Sequence, residues 1–174
     1  MFSMPRGLPA LRLVLVVALC AAACAGRRQQ DAALEHSFES LDALATSVLD
    51  AVASRDRDRL EQLALSEHEF RTIVWPALPA ARPERNLTWD YVWSDLRQKS
   101  RASVMALLFR HGGRRYTLLG VKHLGKTTQY ADFEVQRATE LSVATSTGER
   151  ATVRLFGSTI RRHGRFKLFS YNVD

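Results

Sequence analysis

The sequence predicts an α+β fold: three N-terminal helices packed on one face of a curved antiparallel sheet of about five strands. Three observations lead there. Apolar residues recur at spacings of three and four as far as His111, the period of an amphipathic helix. After Gly112-Gly113 the spacing changes to simple alternation, the period of a half-buried strand. The alternating stretches are separated by short turn sequences, Leu124-Gly125-Lys126, Thr147-Gly148 and Arg162-His163-Gly164-Arg165, and turns that short join antiparallel neighbours. Helices in one block followed by strands in another is the α+β arrangement.

The first helix is expected from about Phe38 to Ser54. Phe38, Leu41, Ala45, Val48 and Val52 make one stripe, and Ser37 is placed to cap it. Asp56 is placed to cap a second, short helix carrying Leu60, Leu63 and Leu65. Ser66-Glu67-His68-Glu69 has the form of a capping box, with Ser at the N-cap and Glu at N3. The turn it starts carries Phe70, Ile73 and Val74, and Pro76 is expected to stop it. PALPAARPERN, from Pro76 to Asn86, has three prolines in eight residues and is expected as a stiff loop. Asn86 or Thr88 then caps the longest helix, which ends at His111 before the glycine pair. Its stripe is Trp89, Trp93, Leu96, Ser100, Val104, Leu107 and Leu108. Ser100 is small for that stripe, so another element should approach closely there.

Strands are expected at Tyr116 to His123, Thr127 to Arg137, Leu141 to Thr145, Ala151 to Arg161 and Phe166 to Val173. In the second, Ala131, Phe133 and Val135 share one face and Tyr130, Asp132 and Glu134 the other. Gly157 marks a bulge or bend in the fourth.

The closing segment Gly-Arg-Phe-Lys-Leu-Phe-Ser-Tyr, after a long strand ending in charges, resembles the NTF2-like (SnoaL-like) superfamily of cone-shaped domains. The resemblance covers Ser37 to Asp174 and lies in the order of elements. It implies a cavity between helices and sheet, in which enzymes of that type place acids and histidines. That family has a strand or hairpin between its second and third helices, where this chain has the proline loop. A cystatin-like cone or another α+β fold therefore stays open.

The N-terminus carries an address. Arg6 and Arg12 are positive, Leu13 to Ala23 is apolar, and the run closes on Ala21-Ala22-Ala23-Cys24. Such a leader is an export signal. The run resembles the lipobox of bacterial lipoproteins. The resemblance implies that Cys24 is acylated on sulfur and becomes the first mature residue. It also favours the periplasmic face of the outer membrane, because Ala25 stands where proteins retained in the inner membrane carry Asp. Cys24 fits better than Cys20, which follows the bulky Leu19. Ala23-Cys24-Ala25 also reads as an ordinary secretion site. An uncleaved anchor helix needs about 20 apolar residues, and the unbroken run is shorter. The expected organisation is leader 1–23, lipidated N-terminus and tether 24–36, and one domain 37–174. The tether from Ala25 to His36 spans at most about 40 Å at roughly 3.3–3.6 Å per residue. Arg27 and Arg28 follow the anchor and favour anionic headgroups.

Both cysteines lie in the leader region. After cleavage at Cys24 no disulfide, structural zinc site or cysteine nucleophile is expected in the domain. Charge is uneven: Asp31 to Leu96 holds 13 acidic and 6 basic residues, and Arg97 to Asp174 holds 15 basic and 5 acidic. A basic half can mark a nucleic-acid surface, but an envelope address argues against that partner. The simplest reading is an acidic helical half packed on a basic sheet half.

No GxSxG, P-loop or dinucleotide fingerprint occurs, and no cofactor or metal is implied. His68 has no second His at i+4, and the capping box accounts for Glu69. Asp132 and Glu134 beside Tyr130 are the type of paired acids that serve proton transfer, but their strand's apolar face should turn them outward, toward basic residues. His123 and His111 sit at element ends. Trp75, Trp89 and Trp93 flank the proline loop and make a candidate pocket rim or docking surface. Asn86-Leu87-Thr88 has the form of a glycosylation sequon. The expected role is therefore a membrane-anchored binding or interaction domain. It would hold an envelope protein or a small apolar ligand in a helix–sheet cleft, with lipid bound through Cys24. The alternatives are a small NTF2-like enzyme, isomerase, dehydratase or hydrolase, and an adhesive protein whose basic sheet face contacts anionic lipid or polysaccharide.

Overall fold

The computed structural model describes residues 33–172. The leader, Cys24 and most of the tether lie outside the described residues, as do Val173 and Asp174. The packed body begins at Leu34, which is buried.

The fold is α+β, with four α-helices among the described residues rather than three and two antiparallel sheets rather than one. Helix α1 is Leu41–Ser54. Its cap is Ser40, whose hydroxyl accepts from the Ala43 N–H, and not Ser37. Ser37 lies one turn too early because Phe38 is taken by a two-way backbone bridge to Phe166, at 2.8 Å in each direction. Helix α2 is Arg57–Leu63, capped by Asp56 as expected. Helix α3 is the short Glu67–Glu69, with both halves of the capping box formed. It continues into a wider π-type turn, Phe70–Val74. Pro76 does not stop the chain there. The proline loop coils into three 3₁₀ turns, Trp75–Ala77, Pro79–Ala81 and Pro83–Arg85, each with Pro at one of its first two positions. A proline there loses no hydrogen bond, since the first N–H groups of a helical turn have no partner in it. Helix α4, Trp89–His111, follows Thr88 and stops at Gly112. Gly113 has φ +84°, and a Cβ on Gly112 would fall 2.3 Å from the Leu108 carbonyl oxygen. Only glycine fits this exit.

The strands are β1 Tyr116–His123, β2 Thr127–Gln129, β3 Phe133–Gln136, β4 Thr139–Thr145, β5 Arg150–Val153, β6 Ser158–Arg162 and β7 Arg165–Ser170. They form a three-stranded sheet ordered β1-β4-β5 and a four-stranded sheet ordered β2-β3-β6-β7. All pairs are antiparallel.

Both differences from the expected meander have one physical origin. Leu124-Gly125-Lys126 is not a reversal. Two neighbouring chains pass each other there, with Leu124 N–H donating to Ala138 O at 2.9 Å and Gly125 N–H to Arg137 O at 3.1 Å. A Cβ on Gly125 would sit 3.0 Å from that carbonyl oxygen, so the glycine serves close passage and not a turn. Ala138 at φ +54° and the buried Gly157 continue the break, joined by Thr139 N–H to Gly157 O at 3.0 Å. The break therefore crosses the ladder and divides one meander into two sheets. The true reversal is Tyr130-Ala131-Asp132-Phe133, closed by Tyr130 N–H to Phe133 O at 2.8 Å. The expected long strand Thr127–Arg137 is thus a hairpin, β2 with β3, and Asp132 sits in its turn.

The main core joins Leu44, Val48 and Val52 of α1, Val104 and Leu107 of α4, and Leu141 and Val143 of β4. Phe38 and Leu65 bind the outer side of β7, Leu65 through its N–H to Leu168 O at 2.9 Å. A free strand edge is covered in this way. Among the described residues no helix is long and apolar enough to cross a membrane.

Candidate functional site: a groove between α4 and β7

The inward face of α4 is only partly closed by the rest of the body. Trp93, Leu96, Ser100 and Val104 recur along it. Across from them run Glu61 at the end of α2 and the link Ala64 to Glu67. Between the two walls, Phe169 and Tyr171 form the floor. The result is an open groove of about 270 Å³.

Tyr171 holds the walls together. Its buried hydroxyl donates to Leu60 O at 2.7 Å, and its N–H donates to the Ser100 hydroxyl at 3.3 Å. Leu60 O is available because Ala64 N–H turns to Glu61 O instead, at the tightened end of α2. Burial pushes the Tyr171 phenol well above its ordinary pKa, so it stays a donor. The close approach expected at Ser100 is this contact.

The mouth is charged. Arg97 and Arg101, one turn apart on α4, reach Glu67 at 3.9 Å and Glu61 at 3.4 Å. Glu67 also accepts the Trp93 indole N–H at 3.2 Å, and Glu61 accepts from Arg57 at 2.9 Å. All three arginines are about half exposed, and pairs of that kind contribute about 0–1 kcal/mol. An entering group displaces them at little cost.

Of the three tryptophans, only Trp93 lines the groove. Its ring lies 5.2 Å from Phe70, and Phe70 lies 6.3 Å from Trp75. Trp75 therefore supports the wall from behind. Trp89 lies under the Arg71 guanidinium at 4.8 Å. The groove residues that the sequence did not single out are Phe169, Tyr171, Glu61, Arg97 and Arg101. The available signal was in the last strand, where Leu168 and Phe169 are adjacent apolar residues that break simple alternation, at the register shift between β6 and β7.

The polar candidates lie elsewhere. Asp132 accepts from the buried Arg162 at 2.8 Å and 2.7 Å. Glu134 is held by Arg161 at 3.4 Å, with Gln129 and Gln136 also donating. Both acids thus meet arginines of β6, Glu134 directly across the β3–β6 ladder and Asp132 from the turn before β3. Tyr130 stacks on Phe133 at 4.6 Å across the hairpin turn. His123 ends β1 beside Thr139, with Nδ1 3.2 Å from its hydroxyl. Burial pushes the His123 pKa down, against the opposing pull of Glu134. The structure therefore brings His123 and Glu134 into electrostatic range, while Asp132 is engaged with Arg162. His68 is exposed. Glu69 is more than a cap: its carboxylate also accepts from Lys167 at 2.7 and 2.9 Å and from Glu35 N–H at 2.7 Å.

Comparison of the chain with protein-family models, with curated proteins and with solved structures found no match.

Proposed function

We propose that this chain is a lipid-anchored protein of the bacterial cell envelope. Its folded body holds an apolar group, a side chain of an envelope partner or a small apolar ligand, in the groove between α4 and β7. The observation that carries the binding reading is the groove's composition. Leu96, Phe169 and the edge of Trp93 present apolar surface over the buried Val104 and Tyr171, and two weak ion pairs edge the mouth. Ligand sites combine an apolar lining with a few placed polar groups. At about 270 Å³ the groove lies just below the roughly 300–1,000 Å³ of drug-sized pockets. It suits one ring or a short branched chain, and Arg97 or Arg101 would take an attached carboxylate.

The anchor reading rests on Ala21-Ala22-Ala23-Cys24 and its lipobox resemblance. Two tests address the two parts. Cys24→Ser should make the protein removable from the membrane fraction of its native host by a wash in about 1 M salt, which screens surface charge contacts; retention through that wash would contradict acylation there. For the groove, 3-phenylpropanoate should raise the Tm of the full chain in a concentration-dependent way. Leu96→Glu should abolish the rise while circular dichroism stays unchanged. A rise that survives Leu96→Glu would place the ligand elsewhere.

A further inference from the structure

The positive charge of the second half of the chain is mostly neutralised where it stands. On the sheets, Lys122 and Arg154 close on Glu140, Arg161 on Glu134 and Arg162 on Asp132. Arg165 and Lys167 reach back to Glu39 and Glu69 on the helical side. Lys126, Arg137 and Arg150 have no ion pair among the described residues, but the corner where α1 and α4 both end gathers more such charge in one place. Arg55, Arg110, Arg114 and Arg115 form no ion pair among the described residues. The backbone ties the two helix ends together, with Gly113 N–H donating to Val52 O at 2.9 Å. A Cβ on Gly113 would lie 3.2 Å from the Arg55 guanidinium nitrogen. His111 feels this field: after burial, Arg114 and Arg110 push its pKa down. Asp50 is the carboxylate that lines a recess with Arg115.

An apolar stripe leads into the same corner. Ala102, Met105 and Phe109 recur at three and four on the side of α4 that faces away from Val104 and Leu107. Met105 is 53% exposed and Phe109 is 91% exposed. On the helix's flank, Ser103, Arg110, His111 and Arg154 line a polar recess of about 270 Å³. At 3.6 residues per turn, Arg110 falls between that recess and the stripe.

We propose that this corner docks on the anionic headgroup surface of a bilayer. Phe109 and Met105 enter the interface, while Arg110, Arg114 and Arg115 engage lipid phosphates. The guanidinium fork matches phosphate oxygens. Exposed apolar side chains on a helix with basic neighbours are how interfacial helices bind anionic surfaces. A second copy of this chain is disfavoured, because a two-fold contact pairs the same patch with itself and would bring like charges together. The inference is independent of the groove, and it does not require Cys24 to be acylated.

The test places an indole at the tip. Full chain carrying Phe109→Trp is incorporated into vesicles of phosphatidylcholine with brominated acyl chains, with and without phosphatidylglycerol. The unsubstituted chain supplies the background of Trp75, Trp89 and Trp93. The excess emission from position 109 should be quenched in the anionic vesicles and little in the neutral ones. Quenching should fade between about 0.1 M and 1 M salt, as the screening length falls from about 10 to 3 Å. Adding Arg110→Glu, Arg114→Glu and Arg115→Glu should remove it while the protein stays on the vesicle by its N-terminus and circular dichroism is unchanged. Equal quenching in both vesicle types, none in either, or quenching that survives the charge reversal would overturn the proposal. So would shielding of position 109 from acrylamide by an acidic polypeptide but not by anionic vesicles, which would assign the corner to a protein. Fractionation of Cys24→Ser after a wash in about 1 M salt, which screens the corner's contacts, reports the anchor alone, so either idea can fail without the other.

Discussion

The two sheets of this protein are built by different rules. The sheet β1-β4-β5 meets α1 through apolar side chains: Leu141 and Val143 are fully buried, with Val121 and Val153 beside them. Its buried polar residue, Thr139, sits at the end of β4, whereas the sheet β2-β3-β6-β7 buries charged groups as well. Thr159, Arg162, Lys167 and Ser170 are all inaccessible, and Lys167 meets Glu69 with both side chains only 1% exposed. The first sheet is held by area removed from water, which tolerates any well-shaped apolar set. The second depends on particular partners, because a buried charge without its partner is strongly destabilising. Alternation in sequence suffices to specify the first. The second needs a match between Glu69 and Lys167, far apart in the chain and joined only when β7 docks beside α3.

Substitutions should separate the two rules. The largest effect is expected from Lys167→Met, about 3–5 kcal/mol in urea unfolding, because the Glu69 carboxylate is left buried without its counter-charge. Glu69→Gln combined with Lys167→Met should cost less than the two singles summed, since contacting groups are not additive. Additive losses would show that the pair is not coupled. In the apolar sheet, Leu141→Ala should cost about 2–5 kcal/mol, from lost transfer energy plus a cavity, and no second substitution should rescue it by restoring charge balance.

A smaller contrast lies within β3–β6. Asp132→Asn weakens the hold on buried Arg162 and should cost about 1–3 kcal/mol. Glu134→Gln faces the half-exposed Arg161 and should cost under about 1 kcal/mol. Equal losses would break the distinction between buried and exposed pairs.

Acidity probes the seam between the sheets. Burial holds the pKa of His123 below its ordinary value, and His111 is lowered by burial and then by Arg114 and Arg110. A histidine lowered in the folded state gains protons on unfolding. Stability is therefore fully present above the unfolded value near 6.5 and declines as pH falls through and below it. His123→Gln should flatten part of that decline in a series of urea titrations. His111→Gln should also flatten it, by an amount that shrinks with added salt because part of its shift comes from exposed arginines. A slope untouched by either change would assign the acid sensitivity to carboxylates.

The sequence carried the helical stripes, the capping box, the glycine exit at Gly112-Gly113 and the change of period after it, because each is a local pattern. The sheet break was harder to read. Gly125 looks like a turn residue, and its real role, letting the chain pass close to Arg137, appears only when the neighbouring strand is in place. The true reversal at Tyr130-Ala131-Asp132-Phe133 contains no glycine or proline to announce it. The groove was half legible. Trp93 and Ser100 stood out on the α4 stripe, whereas Phe169 and Tyr171 looked like ordinary members of the last strand. Their role depends on α4 and α2 packing beside the end of β7, a tertiary fact. Glu69 was explained by its cap, and that sufficient local account hid the long-range partner Lys167.

The groove between α4 and β7 is the central claim, and its indoles supply the most direct measurement. In ¹⁵N-labelled full chain, Trp75, Trp89 and Trp93 give three side-chain N–H signals, and only the Trp93 indole lines the groove while donating to Glu67. Titration with 3-phenylpropanoate should shift the Trp93 signal to saturation, with the other two nearly still. Movement of Trp75 or Trp89 in its place, or equal drift of all three, would contradict the claim that this groove is where the protein binds.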